Sequence, residues 1–383
     1  MTDAPDELER RAVGCLAGAA VGDALGGPTE GHAPQAIRER YDGPVTGIVG
    51  PFYDDWPTRR PISPYHKGDG HVTDDTLMTS MLVRVYDLKR DHLDAYDIAA
   101  HLVPLLINER VWIPELHQET VPLQRVFLAE KWLVTRLQHA HVDPREGGVG
   151  NMVNCGAAMY MAPVGILNAA SPARAYAEAI ELAGTHQSSY GREAAGVFAA
   201  AVARAMSPGA SVSSVVDACL RVARDGTRDA IRAVCERAAG QTDCLAAAAE
   251  LRDAVRPYDS VGPNYREPGL DARRPSRLHS IEELPIALGM LLVADGDYRS
   301  AVLGGVNYGR DSDSIATMAG AIAGALHGLD AIPGSWASAV ADASRIDLTA
   351  NGRTMAAVAR EVFEKDQQLR RAEAEAFEAL CKC

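Results

Sequence analysis

The chain has 383 residues, 47% of them hydrophobic and evenly spread, with 38 basic against 51 acidic side chains and a net charge of -13. No low-complexity linker divides it, so a single helical domain over 1–383 is expected. The average field repels a nucleic-acid backbone, and neither a long apolar run nor a signal-peptide core in the opening MTDAPDELERR points to a membrane or to export, so a cytoplasmic protein is expected.

In chain order, apolar residues three and four apart predict helices over 9–25, 75–88, 172–183, 192–206, 212–224, 227–239 and 314–327, while strand-like alternation is nearly absent. A last helix carries Met355, Val358, Val362, Leu369, Ala376 and Leu380 on one face, predicting a surface helix packed on a bundle. With aromatic residues at 5%, small residues dominate, which favours close helix packing and an all-α class. Three segments read as loops: the proline-rich 50–73 and 256–281, and the Gly- and Asn-rich 141–156. Seven cysteines without CxxC spacing read as reduced thiols.

Two helices carry glycine at every fourth position: Gly14, Gly18, Gly22 and Gly26 in one, Gly320, Gly324 and Gly328 in the other. Each glycine costs about 1 kcal/mol of helix propensity relative to alanine, and spacing of four places the gaps on one stripe where another backbone can approach. Acidic residues stand beside these stripes. Gly22-Asp23-Ala24-Leu25-Gly26 runs on to Glu30, Thr73-Asp74-Asp75-Thr76 precedes a helix, and Asp311-Ser312-Asp313-Ser314 precedes another. Taken singly, each is an ordinary helix cap. If the three converge, carboxylates at about 4 Å repel by about 4 kcal/mol per pair at an effective dielectric of 20, and cations relieve that repulsion. Oxygen ligands with no Cys or His at ligand spacing point to magnesium, manganese or calcium rather than zinc. An EF-hand is excluded, because Ala316 stands where that loop needs glycine and Ile322 where it needs glutamate. No P-loop, dinucleotide fingerprint or GxSxG elbow occurs.

GDALG followed by Glu30, TDDT at 73–76 and DSDS at 311–314 followed by IA and a Gly/Ala helix together resemble the ADP-ribosylglycohydrolase family, in the family's order and across most of the chain. The resemblance implies an all-α orthogonal helical bundle, a binuclear Mg2+ site in which Mn2+ could substitute, and hydrolysis of a glycosidic bond at the anomeric carbon of a ribose. By that resemblance Thr73, Asp74, Asp75 and Asp313 hold one ion, and Asp311, Asp313 and Ser314 the other. Glu30 or Asp75 transfers the proton. The family's central Gly-Asn-Gly segment corresponds here to Gly150, Asn151, Asn154 and Gly156, with Tyr160 in place of a basic residue, and Thr185-His186 matches a Thr-His pair. Gly150, Asn151, Asn154, Gly156, Tyr160 and His186 are therefore expected to contact substrate, while Tyr65, His66, Lys67 and Arg310 could bind a phosphate. The substrate is expected to be an ADP-ribosylated protein or a ribosylated small molecule, alternatively a nucleoside-like metabolite. A catalytically silent ligand-binding relative is the reading from a different class.

Overall fold

The computed structural model describes residues 5–60, 64–151, 155–258 and 280–382. It is all-α. The helices are α1 (Glu7–Gly26), α2 (Pro34–Arg40), α3 (Asp74–Lys89), α4 (Ala95–Asp97), α5 (Val103–Asn108), α6 (Leu128–Val134), α7 (Ala162–Leu167), α8 (Pro172–Ala183) and α9 (Ser189–Ala205). They continue as α10 (Val212–Val222), α11 (Asp225–Ala238), α12 (Cys244–Val255), α13 (Ser280–Val293), α14 (Tyr298–Tyr308), α15 (Ser312–His327), α16 (Gly334–Ser344) and α17 (Ala350–Cys381). Among the described residues the strands form one short antiparallel hairpin, β1 (Val111–Ile113) and β2 (Gln118–Thr120), with Trp112 opposite Glu119. No described helix is long and apolar enough to cross a membrane.

The two glycine stripes meet each other. A Cβ added at Gly18 would lie 2.3 Å from the Gly320 carbonyl oxygen, and one added at Gly14 would lie 2.3 Å from that of Gly324. A Cβ at Gly22 would lie 2.2 Å from the Ala316 carbonyl oxygen, and one at Gly26 would lie 2.4 Å from the Asp313 Cα. Helices α1 and α15 thus pack backbone to backbone along their whole length, with every residue of α1 from Arg11 to Gly26 buried. The stripe's last member is what brings the end of α1 against the start of α15. Asp6 caps α1 by accepting from the Glu9 amide at 2.9 Å.

Helix α3 lies against the same pair and begins at the Thr73 cap, which accepts from the Asp75 amide at 3.4 Å. Between α14 and α15 the chain turns through Gly309 and Arg310, both in the left-handed region (φ 69° and 61°). Only glycine fits at Gly309, where a Cβ would meet the His32 carbonyl oxygen at 2.1 Å. The Arg310 amide donates to the His32 carbonyl at 2.9 Å and its carbonyl accepts from the Gly31 amide at 2.6 Å, so the loop after α1 and the start of α15 are fixed to one another, while Arg310 Nε donates to Glu282 Oε2 on α13 at 2.7 Å. The last helix departs from expectation. Met355, Val358 and Val362 are buried, but Leu369, Ala376 and Leu380 on the same predicted face are exposed.

Candidate metal centre and substrate cleft

The three acidic segments converge on one cleft because the glycine crossing places the end of α1, the start of α3 and the start of α15 together. Glu30, Asp74, Asp75, Asp311, Asp313 and Ser314 line it, together with Arg60, His66, Arg125, Phe127, Glu130, Cys155, Gly156 and Met159. The cleft encloses about 410 Å³ including its open mouth. Asp23, Asp75 and Asp313 offer oxygens all within 4.8 Å of one another, and a second such group is Glu30, His66 and Asp313. Asp313 belongs to both.

Capping does not account for these carboxylates. Asp311 occupies the cap position of α15, yet its side chain makes no cap hydrogen bond; its Oδ2 accepts instead from Cys155 Sγ at 3.3 Å. Asp75 Oδ1 is buried without a hydrogen-bond partner. Asp313 Oδ1 accepts from the Ser314 amide at 3.0 Å. Burial first, and then Asp313, push the pKa values of Asp75 and Asp311 well above the carboxylate range. Asp74 is also raised, chiefly by burial. A site in which neighbouring acids resist ionisation for want of counter-charge is one that a cation completes. The donor set therefore fits a hard divalent ion.

Asp23 plays a supporting part. Its carboxylate accepts from the Thr73 amide (2.9 Å), the Thr73 hydroxyl (2.5 Å), the Thr76 amide (3.2 Å) and the Thr76 hydroxyl. These bonds fasten the start of α3 to α1 and so set where Asp74 and Asp75 point. Burial, followed by repulsion from Asp313, raises the pKa of Asp23 to about 7. On the other flank Thr29 and Ser312 share a hydrogen bond of 2.9 Å, and both hydroxyls reach the Gly26 carbonyl at 3.0 Å.

A histidine stands among these acids. His66 Nε2 lies 2.8 Å from Glu30 Oε2 and 3.3 Å from Asp313 Oδ2. Its Nδ1 is 3.2 Å from Glu115 Oε1 and 2.6 Å from Arg125 Nη2. Burial opposes a charge on this ring, but Glu115 and Asp313 outweigh it and raise the pKa well above the ordinary value. The chain reaches this point from a proline-rich loop seven positions before Thr73, a spacing that no helical or hairpin rule connects to the motif. Glu115, from the β-hairpin turn, and Arg125 form a buried ion pair behind it, and Arg125 offsets Glu115's desolvation to hold its pKa at about 2. Lys67 donates its amide to Glu115 at 2.7 Å. Arg310 pairs with Glu282, away from the cleft's lining.

The residues expected to contact substrate divide in two. Gly156 lines the cleft. Tyr160 and His186 lie behind it, both fully buried, with the Tyr160 hydroxyl 3.1 Å from His186 Nδ1. Asn151 Nδ2 donates to the His186 carbonyl at 2.8 Å, and Gly150 turns at φ 92° against Trp132. Asn154 lies outside the described residues. Glu130 stands between this group and the cleft. It is 1% exposed, neither carboxyl oxygen has a hydrogen-bond partner, and His186 Nε2 approaches at 3.4 Å. Burial, and Asp74 beyond it, raise the pKa of Glu130 to about 8, while burial lowers that of His186 to about 3. No sequence signal marked Glu130, which sits in an unremarkable Ala-Glu-Lys-Trp helix.

The family model for ADP-ribosylglycohydrolases matches residues 4–372. The chain belongs to that family. Two relatives are an uncharacterized protein YegU of Escherichia coli (strain K12), 25% identical over 84% of this chain and 89% of that protein, and an uncharacterized protein of Archaeoglobus fulgidus, 27% identical over 88% and 93%. A solved structure described as an ADP-ribosylglycohydrolase-related protein complex superposes with a TM-score of 0.61 at 22% identity, covering 92% of this chain and 99% of its own. The fold is therefore the all-α bundle of the ADP-ribosylglycohydrolase type. The family is hydrolytic, and the acidic and histidine clusters here are of a kind that can hold a metal ion.

Proposed function

We propose that this protein is a divalent-metal-dependent glycoside hydrolase that cleaves the bond at the anomeric carbon of a ribose in an ADP-ribosyl group. The observation that carries the reading is the convergence of Asp74, Asp75, Asp311 and Asp313 with Glu30 on one buried cleft, where Asp75 Oδ1 has no partner and capping explains neither Asp311 nor Asp75. Thr73, Asp74, Asp75 and Asp313 would hold one Mg2+, and Asp311, Asp313 and Ser314 a second, with Mn2+ as the substitute. When bound, the ions supply Lewis-acid charge at the ribose hydroxyls and at the attacking water. The chain's own residues do the rest. Asp23 fixes the start of α3 and with it Asp74 and Asp75. Glu30, 14% exposed at its side chain and paired with His66, stands where a substrate can reach it and is a candidate to move the proton as an oxocarbenium-like centre develops; Asp75 is the other. Glu115 and Arg125 hold His66 in place. One helical domain over 1–383 is proposed to carry all of this, supported by one contiguous apolar core that runs from α1 to α17.

A smaller, uncharged riboside is the second reading, supported by how few basic side chains the lining offers a diphosphate. Its lining carries Glu30, Asp74, Asp75, Glu130, Asp311 and Asp313 against Arg60, His66 and Arg125, and the last two are already paired with acids. Tyr160, where the family pattern has a basic residue, is buried and adds no positive charge. A panel of ribosides from ADP-ribosyl-arginine to simple nucleosides, assayed with added Mg2+, separates the two. Release from the ADP-ribosylated compounds that EDTA abolishes and Mg2+ restores supports the first reading, and activity confined to compounds lacking a diphosphate supports the second. Inactivity across the panel with intact riboside binding would support the silent relative.

A further inference from the structure

Helix α17 consists of two unlike halves. From Ala350 to Val362 it packs on α1, α3 and α7 through buried Met355, Ala356, Val358, Ala359 and Val362. Every residue from Gln368 to Lys382 is exposed, although the helix continues to Cys381. That projecting stretch is about 22 Å long at 1.5 Å per residue. A helix of such length is marginal in water without tertiary packing. It nonetheless carries Leu369 (59% exposed), Phe377 (68%) and Leu380 (75%), and Phe363 (58%) lies at its root. At 100° per residue Val362, Leu369, Ala376 and Leu380 fall within one narrow sector, and Phe363 and Phe377 flank it on one side. This is the seam expected of a helix pair, left open on its partner side.

The charges select the partner and its direction. Glu373 falls at the edge of that sector and Arg370 flanks it on the same side as Phe363 and Phe377, whereas Arg371, Glu375 and Glu378 point away from it. A parallel copy would set arginines against arginines and glutamates against glutamates. An antiparallel copy with a two-fold axis between Arg371 and Ala372 instead brings Arg370 of each helix level with Glu373 of the other on the same flank of the seam, and Phe363 level with Leu380. Among the described residues Arg370 pairs with Asp366, at 3.6 Å. We propose that residues 363–381 form an antiparallel two-helix seam with the same segment of a second copy, giving a two-fold symmetric dimer.

Light scattering on the full chain across a concentration series tests this, with circular dichroism as the check on folding. Wild type is expected at twice the monomer mass. Leu369→Glu combined with Phe377→Glu is expected to reduce it to the monomer mass at unchanged helicity of the body, because both side chains are exposed within the chain. Arg370→Glu should also lose the doubled mass, and adding Glu373→Lys should restore it. A wild-type monomer, a dimer that survives Leu369→Glu with Phe377→Glu, or an Arg370/Glu373 charge exchange that fails to restore the dimer would each overturn the proposal. So would capture of a different protein by this helix in a chain that stays monomeric.

Discussion

The α1–α15 crossing and the acidic cleft at its end are built from the same two helices, yet they answer opposite physical demands. Along the crossing, glycine removes side chains until backbones touch, and the region is apolar, buried and indifferent to ions. One turn further on, the same closeness forces Asp23, Asp75 and Asp313 to within 4.8 Å, where burial and mutual repulsion raise the pKa values of Asp23 and Asp75. The first region stabilises the fold, and the second costs stability until a counter-charge arrives. A site strained in this way is the usual mark of function rather than of packing.

The largest expected effect comes from breaking the crossing. Gly18→Val would drive a side chain into the Gly320 carbonyl, which an ideal Cβ already meets at 2.3 Å. Since backbone cannot yield as a side-chain tip can, a loss on the order of 4 kcal/mol or more is expected, read as a collapse of the urea midpoint or as no soluble protein. A variant of near wild-type stability would show that the helices are not so closely apposed.

Next is Glu130, at the edge of the cleft. Its pKa is raised from the model-compound value of 4.5 to about 8, so it favours the folded state fully below about pH 4.5 and ceases to do so as pH rises through about 8. Glu130→Gln is expected to be more stable than wild type by on the order of 2–3 kcal/mol at about pH 8, with the difference shrinking towards pH 4.5. Urea denaturation at the two ends of that window checks it, and a constant difference across the window would contradict the assignment.

The smallest effect on stability sharpens the comparison most. In metal-free protein Asp75→Asn is expected to raise stability by about 1–2 kcal/mol at neutral pH, because a neutral group of the same shape relieves the repulsion of Asp313, Asp23 and Asp74. The same change is expected to lower hydrolysis at least about 10³-fold while the fold persists. Thermal melts in EDTA and a product assay with Mg2+ read the two halves of that prediction. Destabilisation in EDTA would place Asp75 among the structural residues instead.

Much of this contrast was legible in the sequence. Glycine at every fourth position identified the stripe, and Asp next to Ser or Thr at three helix ends identified the carboxylates. The 172–183 helix was readable to its ends because Pro172 opens it and Gly184 follows it. His66 was legible only as a phosphate contact, and Glu115, Arg125 and Glu130 were not assigned to the site, since these residues come from a proline-rich loop, a hairpin turn and short segments whose meeting is decided by tertiary packing rather than by any local period. The short segments 98–108 and 128–139, each interrupted by a π-turn, and helices α12, α13, α14 and α16 also went unread. Periodicity misled in α17, where an apolar face was taken to mean contact with the bundle, although Leu369 and Leu380 point into solvent.

The most direct test of the central claim, that the acids at the end of the glycine crossing are a cation site, is calorimetric titration of Mg2+ and Mn2+ into EDTA-stripped protein. Wild type is expected to bind two ions, and binding is expected to raise stability by about 2.7 kcal/mol per ion at a hundred times the dissociation constant. Asp313→Ala is expected to lose both ions, since that residue belongs to each cluster. No binding by wild type, or equal binding by Asp313→Ala, would contradict the account.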